Sequence, residues 1–351
     1  MSSLEVVKGL EENIRMIEAE KSKNAPEPFE VEEISFIQPE EFGISTGTYT
    51  KSNIYPFYVQ TRFLGGKDLK EIYIIKEYKH AKNSEKNYYA EKLIYPIIKS
   101  ERIFADIIYS EDNKLRLYFE GIMLKPLNKR LAELSDEKKP DVIDKAFDPV
   151  IKCFKNLGKY KEQIEKALNT KDIKFQKLDK AYYIGKLGSY VHAFRMDKTG
   201  EIADIFKSKK NKIVDSLTDE SIYAIGSVDA HPQHNLVAYP GDEDGKLLDI
   251  EGLRELSMGM HLGCMLGHPS VYNILPDRKE YFPLIIRRFR NKYNSNIDEK
   301  ILSDAVYSGS IMNNLREASG FLSTYGLKYI KNIESNLNTI KEQMEKIWQK
   351  T

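Results

Sequence analysis

Two acidic residues and an asparagine are the most chemically suggestive residues of this sequence. Asp229 and Asn235 lie in the segment Gly226-Ser-Val-Asp-Ala-His-Pro-Gln-His-Asn235, and Asp249 closes a later apolar run, Leu247-Leu248. An aspartate at the end of an apolar strand is costly to bury without a partner or a metal. Phosphoryl transfer needs such a set, because one carboxylate faces the attacking hydroxyl while another carboxylate and a neutral oxygen donor hold magnesium.

The same segment permits a second interpretation. His231 and His234, together with Asp229 and Asp249, offer imidazole and carboxylate ligands that suit zinc, iron or manganese. A metal-dependent hydrolase is therefore an alternative, although the sequence contains no His-Glu-x-x-His motif. It also contains no Gly-x-x-x-x-Gly-Lys-Ser/Thr run, which disfavours a Walker-type nucleotide hydrolase.

The elements that position these residues begin with a β-rich part. Residues 3–22 have the apolar spacing of a helix, and Asn24–Pro28 is predicted to be a linker. Between residues 33 and 120, short strands and one helix are predicted in the order β-β-β-α-β-β. The predicted strands are Ile44–Tyr49, Ile54–Phe63, Glu71–Lys76, Ile107–Tyr109 and Leu115–Glu120, and the predicted helix covers residues 84–99.

After Gly121 the apolar spacing becomes helical, so the fold class is predicted to be α+β. Predicted helices cover 139–157, 159–168, 178–196 and the chain from about residue 255, with a β-like island at Ile222–Ile225, Asn235–Ala238 and Lys246–Ile250. The last helix carries an apolar stripe from Ile330 to Ile347. We expect this stripe to pack on the chain's own helical lobe, and a homodimer through the helix is the alternative.

The composition is that of a soluble globular protein. Among 351 residues, 54 basic and 53 acidic side chains nearly cancel, so a nucleic-acid partner is not expected. No apolar stretch approaches the roughly 18 residues of a membrane-spanning helix, so no membrane partner is expected either. The two cysteines, Cys153 and Cys264, are too few for a disulfide framework and favour a reducing cytoplasm.

The segment around Asp229 resembles the Brenner motif of the aminoglycoside phosphotransferase and choline kinase group, which has the protein-kinase-like fold. That group typically reads His-Gly-Asp-x-His-Pro-x-Asn, followed by a strand that ends in Ile-Asp-x-Glu. The resemblance covers roughly residues 40–270 and implies two lobes, a small β-rich N-lobe and a larger helical C-lobe. The matching residues are Asp229, His231, Pro232, Asn235, Asp249 and Glu251.

The resemblance implies a nucleotide site that begins on the β-rich lobe. Lys76 closes an apolar strand and is similar to the lysine that contacts the α- and β-phosphates of ATP. Glu91 on the following helix would pair with that lysine, and Glu85 is its rival on the same helix. A loop over the phosphates and a hinge that contacts adenine through its main chain are also implied. Their residues are Gly47 and Thr48 in the loop and Glu120 and Ile122 in the hinge.

On the helical side, the resemblance implies that Asp229 is the catalytic base and that Asn235 and Asp249 hold Mg²⁺. The histidine that usually precedes the aspartate is missing, and Gly226 or Ser227 lies near its place. Asp229 and Asn235 are also six positions apart, whereas the kinase pattern has five. Either the loop bulges by one residue, which the Asp-x-His-Pro match favours, or the chain is a catalytically inactive nucleotide-binding pseudokinase or scaffold.

The implied activity is ATP-dependent phosphorylation of a hydroxyl group on a small molecule. Glu251 and Glu255 would attract an aminated or quaternary-ammonium acceptor, and amino sugars, amino alcohols and other sugars remain open. The predicted domains are an N-terminal helix and linker at 1–30, a nucleotide-binding N-lobe at 31–121 and a helical C-lobe at 122–351.

Overall fold

The architecture comes from a computed structural model that describes residues 3–38, 52–78, 83–119, 124–196, 200–237, 244–325 and 330–348. The predicted strand Ile44–Tyr49 lies outside the described residues, and so does the predicted lobe boundary at residues 121 and 122. The same holds for the predicted nucleotide contacts at Gly47, Thr48, Glu120 and Ile122, which therefore stay predictions.

The N-terminal part is a five-stranded antiparallel sheet with a helix on each face. Its strands are β1 Phe29–Phe36, β2 Ser52–Phe63, β3 Asp68–Tyr78, β4 Ile107–Glu111 and β5 Arg116–Phe119, and its helices are α1 Ser3–Asn24 and α2 Ser84–Ile98. The strand order is β1-β2-β3-β5-β4, so β3 is central. The described elements follow the order β-β-β-α-β-β after α1, but the first strand begins directly after the linker, before the predicted β-rich region.

Alternation along β3 assigns its side chains to the two faces of the sheet. Tyr73 and Ile75 belong to the apolar cluster that includes α1. Ile74 and Tyr78 belong to the cluster that includes α2. Because successive side chains of a strand point to opposite faces, Lys76 lies on the α2 face. The apolar residues of β3 fix the orientation of the strand, and this orientation places Lys76 on the face that is covered by α2.

The rest of the chain is mostly helical and surrounds a continuous core of aliphatic and aromatic side chains. Its helices are α3 Leu127–Ala132, α4 Lys139–Asn156, α5 Lys161–Asn169, α6 Lys180–Met196, α7 Gly200–Leu217, α8 Met258–Leu266, α9 Pro269–Tyr272, α10 Arg278–Tyr293, α11 Glu299–Tyr325 and α12 Ile330–Trp348. Helix α7 is not predicted from the sequence, because the lysine-rich run from Lys207 to Lys212 interrupts the apolar spacing of this helix. In the described part of the chain, no helix is both long and apolar enough to cross a bilayer.

Short strands inside the helical part position the segment that contains Asp229, Asn235 and Asp249. They are β6 Lys125–Pro126, β7 Tyr223–Ser227, β8 Asn235–Val237, β9 Lys246–Leu247 and β10 Leu253–Ser257. Strand β7 pairs with β10, and β8 pairs with both β6 and β9. Asp229 therefore follows β7, Asn235 begins β8 and Asp249 follows β9. The sheet pairings bring these three positions to neighbouring strand ends.

The predicted resumption of helix at about residue 255 is wrong by three residues. Residues 255–257 continue β10, because they pair with β7. Ser257 then ends the strand and caps α8, since its Oγ atom accepts a hydrogen bond of 3.2 Å from the Gly259 N–H. A serine side chain that satisfies a free N–H in the first turn is a common start of a helix.

Two glycines allow α8 and α11 to approach each other closely. A Cβ atom added to Gly263 would lie 2.3 Å from the backbone nitrogen of Ser310, and one added to Gly259 would lie 2.4 Å from the Ala305 carbonyl carbon. No side chain with a Cβ atom fits at such distances, so the two helices contact each other through their backbones. This contact positions α11, which carries Arg316, beside the segment that follows β7.

The C-terminal helix α12 packs against α11 of the same chain. Ile340 is buried, and the Gln343 side chain accepts a hydrogen bond of 2.5 Å from the Ser310 hydroxyl on α11. This part of α12 therefore packs on the chain's own helical lobe, as the sequence analysis favoured. The homodimer through α12 stays a prediction.

Replacing Gly263 with alanine should destabilise the helical lobe, because the added methyl group forces α8 and α11 apart. Overpacking of this kind costs about 1–3 kcal/mol, which thermal or urea unfolding would measure. Gly185→Ala in α6 is the matched control, because nothing lies within 4 Å of its added Cβ atom. The control should gain up to about 1 kcal/mol from the better helix propensity of alanine. A Gly263→Ala protein as stable as the wild type would contradict the close helix contact.

Candidate active site

A buried ammonium group lies where the sheet meets the helical lobe. Lys76 on β3 is 4% exposed, and its Nζ atom contacts three carboxylates. The distances are 2.5 Å to Asp249 Oδ1, 2.8 Å to Glu251 Oε1 and 3.0 Å to Glu91 Oε2. The structure thus brings together three of the predicted site residues, Lys76, Glu91 and Asp249, from both parts of the chain. Glu251, which matches the motif and was expected to attract the acceptor, is a direct partner of the lysine.

Glu91 joins β3, α2 and the segment after β9. It is fully buried and pairs with Lys76, whereas its rival Glu85 is exposed. The Tyr78 hydroxyl donates a hydrogen bond to Glu91 Oε2, and the Ile250 N–H donates one of 3.1 Å to Glu91 Oε1. Both carboxylate oxygens are therefore satisfied, which is what allows a charged group to be buried here.

The cluster around Lys76 carries more negative than positive charge. Burial opposes the charged form of Lys76, but Asp249 and Glu251 outweigh it and raise the pKa of the lysine well above its ordinary value. Burial and the nearby charge of Glu91 raise the pKa of Glu251 well above its ordinary value. A buried cluster with surplus carboxylates favours the binding of a further cation.

The backbone at Asp249 adopts the left-handed conformation, with φ of 64° and ψ of 66°. This conformation is sterically disfavoured for residues with a Cβ atom, although aspartate tolerates it better than most. It turns the chain after β9 so that the Asp249 carboxylate meets Lys76 while the next N–H meets Glu91. Strain of this kind is typical of functional sites held in place by the surrounding structure.

The loop between Asp229 and Asn235 contains a 3-10 turn at Pro232–His234. The turn closes with a hydrogen bond of 2.8 Å from the His234 N–H to the His231 carbonyl. Despite the longer loop, side-chain ligand atoms of Asp229, His234 and Asp249 all lie within 4.8 Å of one another. The two aspartates therefore converge on one place.

His234 lies between the two aspartates. Its Nδ1 atom is 2.9 Å from Asp249 Oδ2 and 3.0 Å from the backbone oxygen of Asp229. Burial opposes protonation of the ring, but the charge and hydrogen bond of Asp249 outweigh it and raise the pKa of His234 to about 9. For Asp249, burial is likewise outweighed by His234 and Lys76, which hold its pKa well below the ordinary value. The imidazolium therefore neutralises part of the charge of the site at neutral pH.

Asp229 is paired with Arg316 on α11, a residue for which the sequence gave no signal. Arg316 donates a hydrogen bond of 2.8 Å to Asp229 Oδ1 and another of 2.7 Å to Asn313 Oδ1. Burial raises the pKa of Asp229, but Arg316 and His234 outweigh it and lower the pKa to about 2. The Asp229 side chain is nevertheless 48% exposed, so its second oxygen remains accessible to a ligand.

Asn235 has an unused oxygen atom. The side chain is 2% exposed, and its Nδ2 atom contacts Met265 Sδ at 2.6 Å. Its buried Oδ1 atom has no hydrogen-bond partner among the described residues. Asn235 pairs with Leu247, two positions before Asp249. An orphaned amide oxygen near a carboxylate fits the oxygen ligands that Mg²⁺ prefers.

The ligand set of the hydrolase alternative is assembled only in part, because His231 does not belong to the group of Asp229, His234 and Asp249. His231 lies in a separate group with His268 and Glu317, and its Nε2 atom is 2.8 Å from His268 Nε2. Its Nδ1 atom accepts a hydrogen bond of 3.2 Å from Gln233, which caps the 3-10 turn. The charge and hydrogen bond of Asp249 favour the protonated form of the His234 ring, whereas a metal binds the neutral form. The geometry therefore argues against a zinc or iron centre that uses both His231 and His234.

The fold is the kinase-like two-lobe α+β fold of the choline and ethanolamine kinases and the aminoglycoside phosphotransferases. The predicted fold class is thus confirmed. The chain is similar to the streptomycin–ATP complex of APH(2")-IIa, with 11% identity, a TM-score of 0.54 and coverage of 98% of each chain. No protein-family description matches the sequence, and no curated protein matches it.

Two further solved structures share this fold. One is the choline kinase LicA from Streptococcus pneumoniae, with 12% identity, a TM-score of 0.51 and coverage of 94% of this chain and 99% of that one. The other is the AMP-bound spectinomycin phosphotransferase APH(9)-Ia, with 14% identity, a TM-score of 0.52 and coverage of 90% and 93%. At these identities the similarity shows the fold alone.

Removing His234 should lower stability most below neutral pH. Because the folded-state pKa is raised from 6.5 to about 9, the protonated ring stabilises the fold fully below pH 6.5 and this contribution is lost as the pH rises through 9. The difference in unfolding free energy between wild type and His234→Gln should therefore fall by about 2–3 kcal/mol over that range. Urea unfolding measured across the range tests this, with the exposed His192→Gln as control. A difference that stays constant or grows with pH would contradict the ion pair.

Proposed function

We propose that this chain is a kinase that transfers the γ-phosphoryl group of ATP to a hydroxyl group of a small molecule, with Mg²⁺ as the metal. The contact between Lys76 and Asp249 carries the proposal. A buried cation from the sheet and a carboxylate from the helical lobe lie 2.5 Å apart, at the place where a triphosphate and its metal would have to meet. The shared fold supports the same activity, since solved structures with this fold include a choline kinase and a spectinomycin phosphotransferase.

On the sheet side, Lys76 would bind the α- and β-phosphates. Glu91 holds the ammonium group from α2, and its own position is fixed by Tyr78 and Ile250. Phosphate oxygens would then replace one or both of the other carboxylates on the lysine. The resemblance adds the loop with Gly47 and Thr48 over the phosphates and the hinge at Glu120 and Ile122 against adenine.

On the helical side, Asp249 and Asn235 would hold Mg²⁺. The unpartnered Oδ1 atom of Asn235 and the carboxylate of Asp249 supply oxygen ligands of the kind this ion prefers. The chemistry that Mg²⁺ would supply here is positive charge, which would offset the negative charge of the phosphates during transfer. Both oxygens of Asp249 are engaged, one by Lys76 and the other by His234, so metal binding would replace at least one of these contacts.

Asp229 would orient the acceptor hydroxyl. In the reaction the hydroxyl oxygen bonds to the γ-phosphorus, the bond from that phosphorus to the bridging oxygen of ADP breaks, and the hydroxyl proton passes to the Asp229 carboxylate. The pKa of Asp229, lowered to about 2 mainly because Arg316 and His234 outweigh burial, makes it a weak base. Its contribution is therefore chiefly positioning, with proton transfer late in a loose transition state.

The ion pair between Arg316 and Asp229 also favours a second candidate function, that of an inactive nucleotide-binding protein. Arg316 engages one oxygen of Asp229, and the loop departs from the kinase pattern in its length and in the missing histidine. A chain of this kind can bind a nucleotide without turning it over. ATP binding measured by calorimetry, followed by ADP formation with a panel of hydroxyl compounds, separates the two functions.

Changing Asp229 to asparagine should lower kcat by about 10²–10⁴-fold while leaving the Kd for ATP within about twofold. The reason is that the amide neither accepts the hydroxyl proton nor balances the charge of Arg316. Asp215→Asn, which breaks an exposed pair with Lys180, is the control and should retain activity. Unchanged turnover in Asp229→Asn would show that another residue serves the acceptor. ATP binding without turnover in the wild type would support the inactive alternative.

Glu91→Gln should raise the KM for ATP by about tenfold or more, because the neutral amide no longer holds the charged Lys76 in place. Glu85→Gln is the matched control on the same helix, where the side chain is exposed. ADP formation at varied ATP concentration gives both values. Equal KM values for the two variants would contradict the role of Glu91 in the nucleotide site.

A further inference from the structure

Two histidines and a glutamate converge on one point outside the proposed nucleotide site. His231 lies in the loop before β8, His268 lies between α8 and α9, and Glu317 lies on α11. The Nε2 atom of His268 is 2.8 Å from His231 Nε2 and 3.0 Å from Glu317 Oε2. The third distance, from His231 Nε2 to Glu317 Oε1, is 3.7 Å. The side chains are only 13–17% exposed, so this group is largely shielded from water.

Both histidines are oriented in the same way by their local sequence. Each is followed by a proline, which restricts the histidine to an extended backbone. The φ and ψ angles are −59° and 144° at His231 and −65° and 137° at His268. In each turn the ring Nδ1 atom accepts a hydrogen bond from the N–H two residues later, at 3.2 Å from Gln233 and at 3.1 Å from Ser270. The Nε2 atoms therefore point away from their own turns and meet each other.

No placement of protons satisfies all the contacts of this group at once. Because His231 accepts at Nδ1 from Gln233, the proton of the neutral ring lies on Nε2 and points at His268. His268 Nε2 must accept this proton, so it has no proton left for the Glu317 carboxylate at 3.0 Å. If His268 Nε2 donates to Glu317 instead, two N–H groups face each other across 2.8 Å. A cation at the centre removes the conflict, because all three atoms bind it through lone pairs.

The charges in the group also suit a metal. Burial and the nearby His268 lower the pKa of His231 well below its ordinary value, so this ring is neutral at neutral pH. Burial raises the pKa of Glu317, but His268 outweighs it and lowers the pKa to about 2. Among the described residues, no lysine or arginine lies at ion-pair distance from Glu317, since the guanidinium of Arg316 faces Asp229 instead. A neutral imidazole and an ionised carboxylate are the forms that bind metals.

The spacing of the three ligand atoms fits a tetrahedral zinc ion. Zinc binds histidine nitrogen and carboxylate oxygen at about 2.0–2.2 Å, which places the ligand atoms of a tetrahedron about 3.3 Å apart. The observed separations of 2.8, 3.0 and 3.7 Å lie on both sides of this value. Two imidazoles and one carboxylate are a known zinc ligand set that leaves the fourth position to water. Mg²⁺ prefers oxygen ligands alone, so it does not suit this group.

The other ring nitrogens are compatible with a bound metal. A neutral imidazole that binds a metal through Nε2 carries its proton on Nδ1 and donates it to an outer partner. For His268 that partner is present, because the Ser270 hydroxyl oxygen is 2.7 Å from Nδ1. The backbone N–H contacts to the two Nδ1 atoms, at 3.1 and 3.2 Å, are long for hydrogen bonds and would be given up. Binding would therefore exchange two weak contacts for three metal–ligand bonds.

We propose that His231, His268 and Glu317 form a zinc site, with water as the fourth ligand. The site is separate from the residues proposed to hold Mg²⁺, and the inference does not depend on the kinase function. His231 lies two residues after Asp229, and Glu317 directly follows Arg316, which pairs with Asp229. The zinc ion would therefore join the loop that carries Asp229 to the helix that carries its partner.

Calorimetric titration of the full chain with Zn²⁺, after treatment with a chelator and in excess Mg²⁺, tests the site. His268→Gln and Glu317→Gln should each weaken zinc binding by about 100-fold or more, because each removes a ligand and the loss of an outer partner alone costs about 10–100-fold. Ser270→Ala, which removes such an outer partner, should weaken it by about tenfold. The exposed His192→Gln is the matched control and should bind zinc as the wild type does.

A second histidine variant locates the ion. His234 belongs to the other ligand group, with Asp229 and Asp249, so His234→Gln should retain the zinc ion proposed here. Zinc binding that is lost in His234→Gln but kept in His268→Gln would place the ion between the aspartates and overturn the inference. The absence of zinc binding in the wild type would overturn it as well.

Thermal unfolding separates the loss of a ligand from the loss of folding. Zinc should raise the Tm of the wild type, because it binds the folded chain, and this rise should be absent in Glu317→Gln. The Glu317→Gln chain keeps the size and the shape of the side chain, so it decides the test if His268→Gln does not fold. A folded Glu317→Gln chain with the same zinc-dependent rise in Tm as the wild type would contradict the site.

Discussion

The arrangement of this molecule depends on one buried ion cluster, in which the ammonium group of Lys76 is surrounded by Glu91, Asp249 and Glu251. The cluster joins the central strand of the sheet to a helix and to the segment after β9. Buried ion pairs add little net stability, because the cost of removing the charges from water offsets their attraction. A cluster with surplus carboxylates is therefore better explained by the binding of a ligand or cation than by a contribution to the stability of the fold.

The charges of the site form a continuous alternating series. Arg316 pairs with Asp229, His234 bridges Asp229 and Asp249, and Asp249 pairs with Lys76. Each group changes the protonation of its neighbours, which explains why the pKa values of the aspartates fall while that of the histidine rises. A ligand that replaces one partner in this series would therefore change the protonation and charge of the other groups. In the proposed kinase, the nucleotide site and the acceptor site would in this way be electrostatically connected.

The local part of the site was predictable because its residues lie close together in the chain and resemble a known motif. Asp229, Asn235 and Asp249 were identified from their types and spacing, and the strand pairings bring them to neighbouring ends. The extra residue in the loop was visible in the sequence, but its consequence was not. The loop contains a 3-10 turn, and His234 at the end of this turn lies between the two aspartates. The structure was needed to decide that Glu91, and not Glu85, pairs with Lys76, because only the structure shows which face of α2 is buried.

The sequence by itself determined the order of the β-rich and helical parts, the strand that carries Lys76 and the segment that carries the carboxylates, because apolar periodicity and short motifs are local properties. Only the tertiary structure decided that Arg316 pairs with Asp229, that Glu251 contacts Lys76 and that Glu255 contacts Lys161. These contacts join residues that are far apart in the chain, and the close packing of α8 on α11 helps to bring them together. The charge that faces an acceptor is a sum over such contacts, so it cannot be obtained from residue types alone.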